Sequence, residues 1–122
     1  MKFDPELMRD VLIAIEDLPA DKPLNGTFEF EGRNQAEVNR HIQLLVDEEY
    51  LYGKTVLDHV GAPRAFLIRD LTMKGHQFLA NARNDTVWKK VMAQAKEKGM
   101  SVGLTVLNQL LEHAAKKYAG IE

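Results

Sequence analysis

Hydrophobic residues near the start of the chain recur at the spacing of an amphipathic helix. The apolar stripe consists of Leu7, Met8, Val11, Leu12 and Ile15. Asp4 suits the position before a helix because its carboxylate accepts backbone hydrogen bonds there, and Pro5 suits the first helical position because its missing amide would have no partner. Pro19 and the Asn25-Gly26 pair then favour a turn. The pattern predicts a helix over residues 5–18.

A short strand and a second helix are predicted next. Residues 27–31 alternate between polar and apolar, with Phe28 and Phe30 on one face, which is typical of a strand. Asn34 can cap a helix over residues 34–49. Its buried stripe consists of Val38, Ile42, Leu45 and Val46. A rotation of about 100° per residue places a second set of residues on the solvent-facing side. That set consists of Ala36, Arg40, Gln43 and Asp47, with Asn39 at its edge.

The second half of the chain predicts a β-hairpin followed by three helices. The apolar stretches 51–57 and 65–70 are separated by a loop, residues 58–64, that is longer than a two-residue turn. Thr72 can cap the next helix, and either Asn84 or Asp85 can cap the one after it. Gly99 ends that helix, and a last helix is predicted from Ser101 to about residue 118, before Gly120.

The order helix, short strand, helix, hairpin, helix resembles the winged-helix domain. The phrase Leu71-Thr72-Met73-Lys74-Gly75-His76-Gln77-Phe78-Leu79, which closes the hairpin, is also typical of that domain. We therefore predict an α+β winged helix-turn-helix-like domain over residues 1–82, with residues 83–122 as a helical extension packed on it. An unrelated α+β domain is the alternative. Only about 16 residues separate Gly32 from Glu49, so any supporting helix before the recognition helix must be short.

A second resemblance covers almost the whole chain. It rests on Asp4, on His41, on the phrase from Leu71 to Leu79 and on Asn84-Asp85-Thr86-Val87-Trp88-Lys89-Lys90. These residues are similar to an uncharacterised family of small bacterial and prophage proteins, a domain of unknown function. The resemblance implies a bacterial or prophage setting and no particular activity.

The winged-helix resemblance implies a DNA-binding transcriptional regulator. The solvent face of helix 34–49 would enter the major groove, with amide and guanidinium groups reading bases or phosphates and the wing touching the backbone. The candidate DNA-binding residues are Gln35, Asn39, Arg40 and Gln43 on the helix and Lys54, His59 and Arg64 on the wing. Because polar residues on a helix face can also be merely solvated, this interface stays a hypothesis.

The net charge of −2 conceals an uneven distribution that favours a second hypothesis. Residues 1–32 contain 3 basic and 8 acidic side chains, residues 33–76 contain 6 of each, and residues 77–122 contain 7 basic and 4 acidic. The middle segment, which holds the predicted reading helix and wing, is therefore neutral, although phosphate neutralisation supplies most non-specific affinity for DNA. The alternative function is a protein–protein adaptor that keeps the winged-helix fold without binding DNA.

The last predicted helix has the spacing of a coiled-coil seam. Its seam residues are Leu104, Leu107, Leu111, Ala114 and Tyr118, which step by alternating three and four. This stripe predicts a homodimer, which would place two recognition helices about a twofold axis. Packing within one chain is the alternative.

Several classes of protein are not indicated. The chain has no cysteine, no apolar run near the roughly 20 residues that cross a bilayer, and an acidic, proline-containing start instead of a secretory signal. We expect a cytoplasmic protein. No catalytic, phosphate-binding or metal-ligand motif is present, so we expect neither enzymatic activity nor a cofactor. His41, beside the buried stripe, and His76, after Gly75, are predicted to be partly buried structural residues.

Overall fold

The computed structural model describes residues 1–97 and 104–118. Within these ranges the chain is a mixed α+β protein with five helices and one three-stranded antiparallel sheet of order β1-β3-β2. The elements are α1 (Pro5–Glu16), β1 (Leu24–Gly26), α2 (Gln35–Asp47), β2 (Leu51–Leu57), β3 (Pro63–Leu71), α3 (Met73–Ala82), α4 (Asp85–Glu97) and α5 (Leu104–Tyr118). The chain divides into two units, Met1–His76 and Gln77–Glu122.

Helix α1 begins as the sequence predicts. The Asp4 carboxylate accepts hydrogen bonds from the backbone amides of Glu6 (3.0 Å) and Leu7 (3.3 Å), which have no partner within the helix. All five residues of the predicted apolar stripe are buried, and α1 packs against α2 and β3. The first helix therefore covers one face of the sheet.

The strand predicted over residues 27–31 is wrong, because the first strand is Leu24–Gly26. This strand pairs with β3, with Leu24 opposite Ile68. Polar groups in the segment that follows bond to side chains of α2 instead of to a neighbouring strand: the Thr27 hydroxyl donates to Asn39 and the Phe28 carbonyl accepts from Gln35. The alternation of residues 27–31 cannot reveal these side-chain partners.

The predicted β-hairpin is confirmed and slightly longer than expected. Strand β3 begins at Pro63, two residues earlier than predicted, and β2 pairs with β3 along its whole length. At the tip, the Asp58 carboxylate accepts hydrogen bonds from the amides of Val60 and Ala62, both at 2.9 Å. Gly61 has a φ of 86°, which suits glycine. The tip is thus a turn that side-chain-to-backbone hydrogen bonds hold in place.

The join between α2, β2 and α3 depends on Thr72 and Gly75. The Thr72 hydroxyl donates to the Glu49 carbonyl at 2.5 Å and accepts from the Gly75 amide at 3.1 Å, so Thr72 caps α3 as predicted. A Cβ atom on Gly75 would overlap the Tyr50 carbonyl oxygen. The missing Cβ of Gly75 therefore permits close packing of α3 against the backbone directly before β2.

The second unit contains the pair of helices α4 and α5, which pack against each other. Asn84 is the cap of α4, since its side chain accepts from the amides of Thr86 (3.0 Å) and Val87 (3.1 Å). This settles the choice between Asn84 and Asp85. The predicted helix signals at Gly99, at Ser101 and at residue 120 lie outside the described residues.

Candidate nucleic-acid interface

The exposed face of α2 carries one cation and one amide that act together. Arg40 is the one Lys or Arg in this helix, and its Nη1 donates to Oε1 of Gln43 at 2.9 Å. Arg40 is exposed and Gln43 is half-buried. The hydrogen bond orients the guanidinium group while leaving its other donors available. Arg40 lies on the solvent-facing side as the sequence predicts, whereas Gln43 is only partly exposed there.

Asn39 does not lie on this exposed face, and the expectation that it does is wrong. Its side chain is only 7% exposed. Its Oδ1 accepts from the Thr27 hydroxyl (2.6 Å) and from Nε2 of Gln35 (2.9 Å), and its Nδ2 donates to the Pro63 carbonyl (3.2 Å). Asn39 therefore joins α2 to the segment after β1 and to the start of β3. Its polar atoms are occupied within the protein.

Gln35 is exposed, but its amide nitrogen is turned towards the same segment. Nε2 donates to the Phe28 carbonyl at 2.9 Å as well as to Asn39. Gln35 and Asn39 together hold residues 27–28 along the side of α2. Gln35 thus has a structural role that its spacing in the sequence does not reveal.

The three wing residues lie at two places on the hairpin. His59 is exposed in the turn at the tip of the hairpin, and Arg64 is exposed at the second position of β3. Lys54 lies further back, in a groove on the outer face of the sheet. Neither Lys54 nor Arg64 has an ion-pair partner among residues 1–97 and 104–118. Their charges are therefore available to an anion.

Carboxylates lie at both ends of α2: Glu37 is exposed in its first turn, and three more lie at its other end. Asp47, Glu48 and Glu49 are exposed at and just after its C-terminal end. The nearby ammonium group of Lys74 donates to the Glu48 carbonyl at 3.1 Å and lies 4.5 Å above the centre of the Tyr50 ring. Arg40 lies in the middle of the helix. An anionic partner is consequently repelled at both ends of α2, most strongly at the C-terminal end with its three carboxylates, and attracted towards Arg40 in the middle.

His41 connects the start of the chain to α2. It is 1% exposed, its Nε2 accepts from the Asp4 amide (2.9 Å), and its Nδ1 lies 2.8 Å from the Glu37 carbonyl, to which it donates. The ring stacks on Phe3 with the ring centres 5.6 Å apart. The structural role predicted for His41 is confirmed. His76 is half-exposed, with ring nitrogens 3.9 Å from carboxylates of Glu16 and Asp70.

An ion pair between Asp4 and Arg33 strengthens this connection. Burial raises the pKa of Asp4, but the hydrogen bond from Arg33, two backbone amides and the charge of Arg33 outweigh burial and lower the pKa below its usual 3.8. Burial raises the pKa of the neighbouring Asp10, an increase that the charge of Arg33 opposes. The start of α1 is thus organised around Arg33, which the sequence analysis did not single out.

We expect Asp4→Asn to lower the free energy of unfolding by about 1 kcal/mol at neutral pH, because asparagine keeps the helix cap but loses the charge that pairs with Arg33. The pair is about one third exposed, so solvent limits the effect. Since the pKa of Asp4 is lower in the folded chain, its ionised form stabilises the fold above pH 3.8, and this stabilisation is lost as the pH falls through the folded-state pKa. Urea unfolding of both proteins from about pH 7 to about pH 2.5 measures the difference. The two stabilities should converge in acid, and a difference that stays constant would contradict the ion pair.

The described ranges also bear on metals and membranes. In residues 1–97 and 104–118, no group of three or more His, Cys, Asp or Glu side chains could hold a metal ion. None of the helices in those ranges is both long and apolar enough to span a membrane.

The residues of the predicted dimer seam fall into three groups. Leu107 and Leu111 are buried, at 0% and 1% exposure, within the chain itself, and α5 packs against α4. Their prediction as partner-contacting residues is wrong, because this part of the stripe forms the core of the second unit. Ala114 is half-buried. The side chains of Leu104 and Tyr118 lie outside the described residues.

Comparison with known proteins places this α+β chain in an uncharacterised family, a domain of unknown function. Residues 2–101 match the family described as "Hypothetical protein (DUF2513)", and the chain belongs to that family. It is 27% identical over 113 residues to an uncharacterized protein of Haemophilus influenzae, covering 92% of this chain and 93% of that protein. No solved structure matches the chain. The predicted resemblance to an uncharacterised family is thus confirmed.

Proposed function

We propose that this protein is a winged-helix DNA-binding protein of the transcription-regulator type. The observation that carries the proposal is the exposed Arg40–Gln43 pair on α2, the helix that leads directly into the β2–β3 hairpin. A helix followed by a hairpin, in a sheet of order β1-β3-β2, is the arrangement that a winged helix requires. The hairpin adds the unpaired cation Arg64 and the exposed His59.

The charge distribution of α2 favours one orientation on DNA. Reading helices contact base edges through their N-terminal residues, and Arg40 lies nearer to that end than the three carboxylates do. In this orientation Arg40 donates to the acceptors of a guanine, with its guanidinium plane held by Gln43. Asp47, Glu48 and Glu49 then lie away from the phosphates. Arg64 and His59 contact the backbone beside the groove.

The segment before α2 distinguishes this chain from a full helix-turn-helix. Residues 27–34 form no helix and are held along α2 by Gln35 and Asn39. This polar network takes the place of a supporting helix in fixing the reading helix. We therefore propose that Arg40 and Gln43 are the residues of α2 that contact DNA bases. They are fewer than the candidate residues that helical spacing alone suggests.

Selection from a pool of genomic DNA fragments at low salt tests the proposal. Wild-type protein should retain specific fragments, and the double variant Arg40→Ala with Gln43→Ala should bind them at least tenfold more weakly, since one good base contact is worth about 1–3 kcal/mol. Its urea midpoint should stay close to that of the wild type, because Arg40 is exposed and Gln43 is only half-buried. Lys22→Ala, which removes an exposed cation from the turn before β1, is the matched control. Retention of no fragment by the wild-type protein would sink the proposal.

The exposed carboxylates at the C-terminal end of α2 favour a second candidate function, the protein–protein adaptor. A basic partner protein would contact Asp47, Glu48 and Glu49 directly. In that case, replacement of these three residues by their amides should abolish binding of the partner, whereas the Arg40 and Gln43 variant should leave it unchanged. A homodimer through α5 is a separate proposal. The residues of α5 that could contact a second copy are the half-buried Val106, Leu110 and Ala114.

A further inference from the structure

The outer face of the sheet carries a groove of about 650 Å³ that takes no part in the proposed DNA recognition. Its lining residues are Tyr52, Gly53, Lys54, Leu67, Arg69 and Asp70. Tyr52 is 61% exposed and Leu67 is 46% exposed, so the groove presents two large apolar side chains to solvent. Lys54 pairs directly across the strands with Leu67. Apolar and cationic groups therefore alternate on this face.

The two cations of the groove are unpaired. Neither Lys54 nor Arg69 has a hydrogen-bond or ion-pair partner in the ranges 1–97 and 104–118. The one carboxylate of the groove, Asp70, accepts a hydrogen bond from the Leu71 amide (2.7 Å) and lies 3.9 Å from Nε2 of His76. The groove thus has a net positive charge, with two ammonium or guanidinium groups beside apolar surface. Such a surface complements an anionic ligand that also carries apolar groups.

Strand β2 gives this face an open backbone edge. Within the described residues β2 pairs with β3 alone and ends the sheet. The outer edge of a terminal strand presents backbone amides and carbonyls that an added strand can bind. Gly53 is exposed at this edge, so the backbone there is accessible. An extended peptide could use these groups, whereas a nucleic acid has no matching backbone.

A second copy of the chain is a poor occupant of this edge. The fullest antiparallel pairing of β2 with its own copy would centre on Lys54 and place two ammonium groups side by side. Like charges directly opposite each other destabilise a strand pair. Lysine on an edge strand therefore disfavours self-association and favours an acidic strand.

We propose that the outer face of the sheet binds an extended acidic peptide segment of another protein, which adds to β2 as a fourth strand. Apolar side chains of the peptide would pack against Tyr52, and its carboxylates would contact Lys54 directly and Arg69, one strand further in, through the length of the arginine side chain. Because successive outward residues Tyr52 and Lys54 are two positions apart, the peptide should alternate apolar and acidic residues on its outward face. This inference does not depend on DNA binding, since neither Arg40 nor Gln43 contributes to the groove.

Fluorescence anisotropy with a labelled peptide, Glu-Thr-Val-Thr-Glu-Thr-Val, tests the docking surface on the full chain. The peptide should bind the wild-type protein, and the variant Lys54→Glu with Arg69→Glu should bind it at least tenfold more weakly. That variant should instead bind the peptide in which lysine replaces glutamate, which shows that it is folded. Tyr52→Ala should also weaken binding, and Lys22→Glu, the same charge change on another surface, should not.

Three results would overturn the proposal. The first is no binding of the acidic peptide by the wild-type protein. The second is equal binding of a peptide whose backbone amides are all methylated, because that peptide cannot add to an edge strand. The third is binding of a labelled single-stranded oligothymidine in place of the peptide, which would assign the tyrosine and the two cations to nucleic acid. None of these results changes the expected effect of the Arg40 and Gln43 variant on double-stranded DNA.

Discussion

Gly75→Ala should destabilise the protein by about 3 kcal/mol, although alanine is ordinarily the better residue in a helix by about 1 kcal/mol. The added Cβ would overlap the Tyr50 carbonyl oxygen, a backbone atom that also accepts a hydrogen bond from the Thr72 amide at 3.0 Å. Relief of the overlap would move the start of α3 away from β2 and would disturb the contacts of Thr72 with Glu49 and Gly75. Urea unfolding followed by far-ultraviolet circular dichroism measures the loss.

Gly32→Ala is the matched control for this prediction. Gly32 has a φ of 74°, and nothing lies within 4 Å of the position that a Cβ would take. An alanine there would have to adopt a left-handed backbone conformation, which should lower the free energy of unfolding by about 1–2 kcal/mol. If Gly75→Ala cost no more than Gly32→Ala, the close approach of α3 to Tyr50 would not be a determinant of the fold.

Asn39→Ala should lower the free energy of unfolding by about 2–3 kcal/mol. The substitution leaves the buried Pro63 carbonyl without the donor that it has in the native protein, and it frees the Thr27 hydroxyl and the Gln35 amide. It also opens a small cavity between α2 and the start of β3. Denaturation in urea would detect the loss as a lower midpoint.

Arg40→Ala, one residue further along the same helix, is the matched control. Among the described residues its exposed side chain bonds only to Gln43, so its removal should change stability by less than about 0.5 kcal/mol. The sequence alone places Asn39 among the candidate DNA-binding residues at the edge of the solvent-facing side, and not in a buried network. An Asn39→Ala protein as stable as Arg40→Ala would therefore contradict the buried hydrogen-bond network.

Local sequence signals predicted the structure correctly where a single helix or hairpin determined it. The stripe of α1, the caps at Asp4 and Thr72, and the hairpin between residues 51 and 71 all follow from periodicity and side-chain chemistry. These features depend on residues that are near each other in sequence.

Contacts between distant segments accounted for the errors. Asn39 is buried because residues 27–28 and Pro63 cover one edge of α2, and helical geometry contains no information about those neighbours. The same segment explains the wrong strand, since its polar groups bond to side chains of α2. The groove on the sheet was invisible for a similar reason: cross-strand register brings Lys54 opposite Leu67, 13 positions away in sequence.

The DNA-binding proposal, the adaptor proposal and the peptide-binding proposal assign three different surfaces to three different ligands. Arg40 and Gln43 lie on α2, the carboxylates lie at its C-terminal end, and Tyr52 and Arg69 lie on the outer face of the sheet. One chain can hold a DNA-reading surface and a peptide-binding surface together, which is what a regulator that recruits another protein would need. Each surface can be removed by substitutions that leave the other in place.

The most direct test of DNA reading by α2 is a map of backbone amide shifts in an NMR titration with a retained double-stranded fragment. The proposal predicts that the largest shifts occur at Arg40 and Gln43 and at the hairpin residues His59 and Arg64. A titration that shifts only the groove around Tyr52 and Arg69, or that shifts no amide of α2, would contradict it.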